Sequence, residues 1–160
     1  MNEKGYMYAT TEGKKKLEQE LQGLISNREG IADQIRDARD FGDLKENAEY
    51  AAAREAQNNL EIRIDELEGM MQNIKIFSYK NADTSAVNLG TRVTVEDVKT
   101  KKREDYVMTG ALEFDLDKNY ISNESPKGKA LLGKKVGETA VIKTPVATTE
   151  LKIIKISKVV

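Results

Sequence analysis

The most constraining feature of this sequence is a pair of heptad seams whose residue spacings mirror each other. The first seam alternates intervals of four and three residues and contains one arginine: Leu17, Leu21, Leu24, Arg28, Ile31, Ile35 and Ala38. The second seam alternates intervals of three and four and contains one glutamine: Tyr50, Ala53, Gln57, Leu60, Ile64, Leu67, Met71 and Ile74. A mostly apolar stripe with this period is typical of coiled-coil helices, so each run predicts one long helix.

The mirror symmetry of the seams also predicts how the two helices pack. Opposed seam positions have residue numbers that sum to 88, so a chain folded back at residue 44 pairs them layer by layer. Gly42 supplies backbone freedom for the turn, and Asp43 can accept hydrogen bonds from the next helix's first amides. We therefore predict an antiparallel coiled-coil hairpin over residues 1–78, with an acidic tip at residues 40–46.

Two details of this hairpin concern polar residues. The first helix is expected to begin near Thr10 or Thr11. Arg28 and Gln57 occupy seam positions where apolar residues are expected, and we interpret them as residues that set the helix register or extend to water.

The C-terminal half has the alternating pattern of a β-sheet. Residues 79–90 are rich in small polar side chains and predict a linker to a domain over residues 91–160. Alternation of apolar and polar residues predicts four strands, at residues 91–98, 106–110, 139–144 and 150–159. Ser125 followed by Pro126 predicts the start of one short helix. The predicted fold class is α+β: an N-terminal antiparallel α-helical hairpin followed by a small antiparallel β-sheet domain with one short helix.

Composition narrows the possible chemistry. The chain contains no histidine and no cysteine, which excludes Ser-His and Cys-His catalysis, disulfides and thiolate metal sites. The first residues lack the apolar core of a signal peptide, and no run of eighteen apolar residues occurs. We therefore expect a cytoplasmic protein without a membrane segment.

The carboxylates Asp43 and Glu46 permit two interpretations. Their spacing of three residues has the form of a capping box, in which both side chains bond backbone amides at the start of a helix. Two carboxylates at an exposed end can instead contribute oxygen ligands to Mg²⁺, which typically keeps several waters. Two ligands do not make a complete site, so in this second interpretation the hairpin supplies carboxylates to another protein's active site.

Three segments carry a resemblance to a known family. They are residues 38–50 (ARDFGDLKENAEY), 11–17 (TEGKKKL) and 125–134 (SPKGKALLGK). They resemble the GreA family of bacterial transcript-cleavage factors, and the similarity extends over nearly the whole chain. The resemblance implies a non-enzymatic transcription elongation factor whose hairpin enters the secondary channel of bacterial RNA polymerase. The polymerase would then cleave the 3′ end of backtracked nascent RNA.

The resemblance also assigns roles at the tip. Asp43 and Glu46 match the family positions that help the polymerase active site retain Mg²⁺, which the free factor would not bind. Arg39 and Arg54 are the preferred contacts to the nascent RNA 3′ end, with Lys45, Phe41 and Tyr50 as further candidates. Helix pairing of Arg36 with Asp40 and of Arg39 with Asp43, seam packing of Tyr50, and packing of Phe41 across the turn are the alternatives.

In the C-terminal domain, the resemblance implies an FK506-binding (FKBP-like) fold. Ser125 and Pro126 would dock at the rim of the polymerase channel. The expected partners are therefore bacterial RNA polymerase and RNA, with the free factor monomeric. One departure from the family is the final hairpin, residues 144–150, which lacks the glycine usual at that turn.

Two other classes of function compete with this interpretation. A prolyl isomerase or chaperone would need an aromatic-lined pocket, whereas residues 81–160 contain only Tyr106, Phe114 and Tyr120 as aromatics. A structural coiled-coil adaptor would use the acidic tip only as a capped turn.

Overall fold

The computed structural model describes residues 5–40 and 47–160, which form two compact units. One unit is Lys14–Asn73, which holds most of two long helices, α1 (Thr11–Asp40) and α2 (Ala48–Gln72). The other unit is built from the chain before and after it and contains the strands. None of the helices in the described part of the chain has the length and apolar character needed to span a bilayer.

The two helices bury the side chains of the mirrored seams. The buried hydrophobic residues of α1 and α2 are all seam residues: Leu17, Ile35, Ala38, Ala53, Leu60, Ile64 and Leu67. Ile64 and Leu67 have no exposed surface. The antiparallel coiled-coil hairpin predicted from the spacing is therefore confirmed.

Ion pairs between the helices flank the seam. The guanidinium of Arg28 donates two hydrogen bonds to Glu61, at 2.8 and 2.9 Å, and Arg63 donates to Glu20 at 2.9 Å. Arg28 thus extends from its seam position to the surface, as expected for a polar residue in a heptad seam. Gln57, the other polar seam residue, accepts a hydrogen bond from Arg54 at 3.2 Å.

The ends of the hairpin differ from the sequence prediction at one place. Helix α2 ends at Gln72, so Ile74 is not a seam residue as predicted but begins strand β2 (Ile74–Ile76). This strand pairs in parallel with β1 (Met7–Ala9), in the register Met7 to Ile74 and Ala9 to Ile76. The alternation predicted neither strand, because three residues are too few to establish a period of two.

Helix α1 begins where the sequence predicted, at Thr11, with Thr10 as its cap. The Thr10 hydroxyl accepts a hydrogen bond from the Gly13 amide at 3.0 Å. The same hydroxyl and the Thr10 amide each donate to Oε1 of Glu113 at 2.8 Å. A residue 103 positions away in the sequence therefore holds the start of this helix.

The strand-rich unit contains a five-stranded sheet. Its strands are β3 (Thr91–Asp97), β4 (Arg103–Thr109), β5 (Tyr120–Ser122), β6 (Thr139–Lys143) and β7 (Thr148–Lys158). Their spatial order is β5-β4-β3-β7-β6. Three neighbouring pairs are antiparallel, but β4 and β5 are parallel, so the fully antiparallel sheet predicted from the sequence is wrong at this edge. Residues 110–119 bring the chain back from the end of β4 to the level of Val107. Strand β5 therefore begins beside Val107 and runs in the same direction as β4.

One face of this sheet holds the core. The fully buried side chains Met108, Leu131 and Ile153 belong to one cluster with Val93. Val87, within the predicted linker, is also buried there, and its amide donates to the Lys134 carbonyl at 2.8 Å. The predicted linker therefore contributes to the packing of the sheet.

The predicted short helix is confirmed as α3 (Pro126–Leu131). Ser125 is its N-cap: the Ser125 hydroxyl accepts a hydrogen bond from the Gly128 amide at 3.0 Å and donates to the Ser122 carbonyl at 2.7 Å. Pro126 lies at the first helical position, where its lack of an amide hydrogen costs nothing.

The glycine-free turn between β6 and β7 closes through a threonine. The Thr144 amide donates to the Ala147 carbonyl at 2.9 Å, and the Thr144 hydroxyl bonds both the carbonyl and the amide of Ala147. Side-chain hydrogen bonds therefore stabilise this turn without glycine.

Candidate functional site at the hairpin tip

The described part of the tip is held together by Asn47, which the sequence analysis did not select. The Asn47 side-chain oxygen accepts a hydrogen bond from the Tyr50 amide at 2.8 Å and so caps α2. Its side-chain nitrogen donates to the Ala38 carbonyl at 2.6 Å. One amide group therefore caps the second helix and bonds the last turn of the first. The signal was available, because asparagine is a preferred N-cap and the helical run Ala48–Gln72 follows it directly.

The cap at Asn47 changes the interpretation of the acidic residues. The sequence analysis offered Asp43 as the N-cap of the second helix, but that position belongs to Asn47. Asp43 and Glu46 lie outside the described residues, as do Phe41 and Lys45. Within residues 5–40 and 47–160, no group of three or more acidic side chains is arranged to hold a metal ion.

Arg39 and Tyr50 are brought together across the tip. The Arg39 guanidinium lies 5.9 Å from the centroid of the Tyr50 ring. A hydrogen bond from Arg39 lowers the pKa of the Tyr50 hydroxyl, and the nearby charge of Arg54 acts in the same direction. The Tyr50 hydroxyl therefore has an arginine partner, and the cation lies close to the aromatic ring.

Arg36 and Arg54, two further basic residues near the tip, have partners on their own helices. Arg36 pairs with Asp33 at 3.0 Å rather than with Asp40. Arg54 donates to Gln57 at 3.2 Å, in an exposed contact. Because exposed pairs of this kind contribute little, the cations remain available to phosphate groups at small cost.

Replacing Asn47 with alanine tests the two hydrogen bonds by which its side chain joins α1 and α2. We expect the free energy of unfolding to fall by about 1 kcal/mol, because α2 loses its cap. Asn47→Asp is the matched control, since a carboxylate can still accept from the Tyr50 amide but cannot donate to the Ala38 carbonyl. In chemical denaturation of the full chain, the free energy of unfolding should therefore be highest for wild type, lower for Asn47→Asp and lowest for Asn47→Ala. Equal stability of wild type and Asn47→Ala would contradict the role of Asn47 in joining the helices.

Lys127, the residue after Pro126, lines a cavity of about 240 Å³ in the strand-rich unit. Buried Tyr106 and Leu151 contribute to its apolar wall. The Lys127 ammonium donates to the Tyr106 hydroxyl at 3.0 Å and lies 4.5 Å from its ring centroid. The Tyr106 hydroxyl in turn donates to Glu104, which also pairs with Lys102 at 3.2 Å.

These contacts shift two pKa values in opposite directions. Hydrogen bonds from Tyr106 and then Lys102 lower the pKa of the Glu104 carboxyl. Burial, followed by the bond to Glu104, raises the pKa of Tyr106. The cavity wall therefore contains an ionised carboxylate and a protonated phenol at neutral pH.

Tyr106→Phe tests this network through pH. A carboxyl whose pKa is depressed on folding adds stability above its ordinary pKa of 4.5, and that stability is lost as the pH falls through the folded pKa. We therefore expect the difference in unfolding free energy between wild type and Tyr106→Phe to be largest near neutrality and to shrink below pH 4.5. Denaturation curves across this range measure it; a difference independent of pH would count against the Tyr106–Glu104 bond.

Together, the antiparallel hairpin and the sheet with its capped short helix define a two-part coiled-coil protein. The family model described as transcription elongation factor, N-terminal, matches residues 7–76. The model described as transcription elongation factor GreA/GreB, C-terminal, matches residues 82–158. The chain belongs to the GreA/GreB family of transcription elongation factors.

Individual relatives agree with this assignment. The chain is 46% identical over 151 residues to transcription elongation factor GreA of Amoebophilus asiaticus, covering 94% of this chain and 96% of the relative. It is 43% identical over 150 residues to GreA of Caldanaerobacter subterraneus subsp. tengcongensis, covering 93% and 96%. Among solved structures, GreA factor homolog 1 of Thermus thermophilus is 25% identical, with 94% of this chain and 98% of that chain covered and a TM-score of 0.43.

Proposed function

We propose that this factor inserts its hairpin into the secondary channel of bacterial RNA polymerase and stimulates cleavage of backtracked RNA. The observation that carries the proposal is the match of both halves of the chain to the GreA/GreB models. Asp43 and Glu46 are present in the sequence that joins the two helices of the hairpin. The polymerase performs the hydrolysis, and the factor, which is no enzyme by itself, contributes side chains. Arrested elongation complexes then resume synthesis.

The length of the hairpin supports this role. Helix α1 has 30 residues, which corresponds to about 45 Å at 1.5 Å per residue. A channel that leads to a buried active site requires a narrow element of this kind. Because Asn47 caps α2, the competing role of Asp43 as the N-cap of the second helix loses its support.

In this proposal, Asp43 and Glu46 supply oxygen ligands to an Mg²⁺ ion shared with the polymerase active site. Two carboxylates suit Mg²⁺, which takes one or two protein carboxylates and fills its remaining positions with water or substrate oxygens. The bound ion would supply activation of the attacking water and charge stabilisation of the leaving oxygen. Alone, the free factor offers too few ligands to retain the ion.

The remaining contacts divide between RNA and polymerase. Arg39 and Arg54 are proposed to contact phosphates near the RNA 3′ end, since cations position nucleic acid without reading its sequence. Tyr50, which contacts the Arg39 guanidinium, would hold that cation beside the RNA. Lys45 and Phe41 are proposed as further contacts to the RNA. Ser125 and Pro126, at the start of α3, would dock at the channel rim. The proposal takes the free factor to be monomeric and cytoplasmic.

The test is RNA cleavage in a purified, backtracked bacterial elongation complex with Mg²⁺, with and without this protein. Binding to polymerase is measured separately in the same buffer. We expect shortened RNA to accumulate faster when the protein is present and the cleaved complexes to resume elongation. Binding without stimulation would instead indicate a channel regulator that does not promote cleavage. Absence of binding to polymerase would refute the proposed function.

A further inference from the structure

A groove of about 390 Å³ runs along one flank of the hairpin near its tip. It is lined by side chains from both helices: Gln34, Asp37, Ala38, Glu49, Ala52 and Ala53. Three of these residues are alanines: Ala38 and Ala53 are buried seam residues and form the apolar floor, and Ala52 is exposed beside them. Asp37 on α1 and Glu49 on α2 place a carboxylate on each helix beside this floor.

The heptad positions explain why this flank is acidic. Side chains one position before a seam residue lie on one flank of the hairpin, and those one position after lie on the other. The groove residues Gln34, Asp37, Glu49 and Ala52 all precede a seam residue. Three basic residues, Arg36, Arg39 and Arg54, each follow one. The seam therefore separates an acidic flank from a basic flank at the same end of the hairpin.

Contacts among the described residues of the hairpin do not account for the two groove carboxylates. Among the ion pairs formed by described residues, neither Asp37 nor Glu49 takes part, whereas Asp33 and Glu61 do. Asp37 also lies in the last turn of α1, where the helix dipole disfavours an anion. Helix stability therefore does not explain the carboxylate at that position.

We propose that this groove receives a lysine or arginine side chain of the polymerase when the hairpin is inserted. The alanine floor would pack against the aliphatic part of the side chain, and the two carboxylates would pair with its charged end. The inference rests on the proposed function and adds a second, protein-facing role to the hairpin. The basic flank contacts RNA, and the acidic flank contacts the channel wall.

The chemistry of the groove favours a cationic side chain over other ligands. RNA phosphates would be repelled by both carboxylates and attracted to the arginines of the opposite flank. A purely apolar partner would leave Asp37 and Glu49 desolvated without compensation. A long basic side chain meets both the apolar floor and the charged rim.

The test measures how the cleavage rate depends on factor concentration in the backtracked complex. The double variant Asp37→Asn/Glu49→Gln removes both charges and keeps the side-chain sizes. We expect it to raise the half-saturating concentration about tenfold, as for loss of a charge pair at an interface, with an unchanged rate at saturation. Its dependence on salt should also weaken, because fewer ionic contacts remain to be screened. Direct binding to the elongation complex should show the same loss of affinity.

The control is Glu29→Gln/Glu55→Gln, which removes two exposed carboxylates on the same helices but outside the groove. This variant should keep the wild-type half-saturating concentration. Ala52→Leu provides a second test, because it fills the groove without changing charge and should also weaken binding. Thermal melting of each variant confirms that the hairpin is folded.

The outcomes separate this inference from the proposed function. If wild type fails to bind polymerase, the proposed function and the groove inference fall together. If wild type binds and stimulates cleavage but the groove variants match the control, only the groove inference is overturned. A lower rate at saturation with unchanged affinity would likewise overturn it, because the groove would then act on the reaction and not on docking.

Discussion

Replacing both Asp43 and Glu46 with alanine is expected to lower factor-stimulated RNA cleavage on the order of a hundredfold, the size of effect seen when preorganised charge-stabilising groups are removed from an active site. The reason is that the polymerase active site would lose two oxygen ligands for the shared Mg²⁺ and the orientation of the attacking water. Cleavage rates at saturating factor measure the effect, and binding to the elongation complex should remain near the wild-type level.

The stability of this variant separates the catalytic role from a structural one. The described contacts that close the tip are Asn47 with the Ala38 carbonyl and Arg39 with Tyr50, and neither involves the replaced residues. Because the proposed role of Asp43 and Glu46 is in Mg²⁺ binding and not in the fold, we expect little change in the free energy of unfolding. A loss of about 1 kcal/mol for each residue, with cleavage unaffected, would favour an adaptor with a capped turn. Joint loss of binding and cleavage would contradict the assignment of docking to the C-terminal domain.

Gly128→Ala is expected to cause a large loss of stability in the strand-rich unit. A Cβ at Gly128 would lie 1.9 Å from the Ser122 carbonyl oxygen and 2.9 Å from its carbon, both backbone atoms. Helix α3 would have to move away from the end of β5, which would also disturb the hydrogen bonds that Ser125 makes with Ser122 and Gly128. We expect a cost of about 3 kcal/mol by chemical denaturation.

Gly30→Ala is the matched control for this substitution. Gly30 lies inside α1, and a Cβ there meets no atom within 4 Å. Alanine should therefore stabilise the hairpin by about 1 kcal/mol through its helix propensity. If Gly128→Ala proves as stable as wild type, this result will contradict the close contact between Gly128 and the Ser122 carbonyl. If it destabilises the protein as expected, weaker polymerase binding would support docking by Ser125 and Pro126.

The hairpin was predictable from the sequence because its signal is long and repeated. Seam positions recur over more than twenty residues in each helix, so a single polar exception such as Arg28 does not obscure them. The capped helix α3 was predictable for a different reason: Ser125 and Pro126 act locally, through a side-chain oxygen and a fixed backbone angle.

What the sequence did not reveal depends on contacts between distant residues. Strands β1, β2 and β5 have three residues each, and two of their pairings are parallel, which no local pattern indicates. Glu113 holds the start of α1 from 103 residues away. The flank charges were visible in the sequence, but the groove between Asp37 and Glu49 required the relative placement of both helices.

The parallel pairing of β1 and β2 has a consequence for how the hairpin can vary in length. These strands immediately precede α1 and follow α2, so they join the two chain ends from which the hairpin departs. Deleting residues 18–24 and 64–70 would remove one heptad from each seam and leave every remaining layer in phase. The rod would shorten by about 10 Å. The length of the hairpin can thus change in steps of one heptad per helix, by evolution or by design, while the pairing of β1 with β2 stays the same.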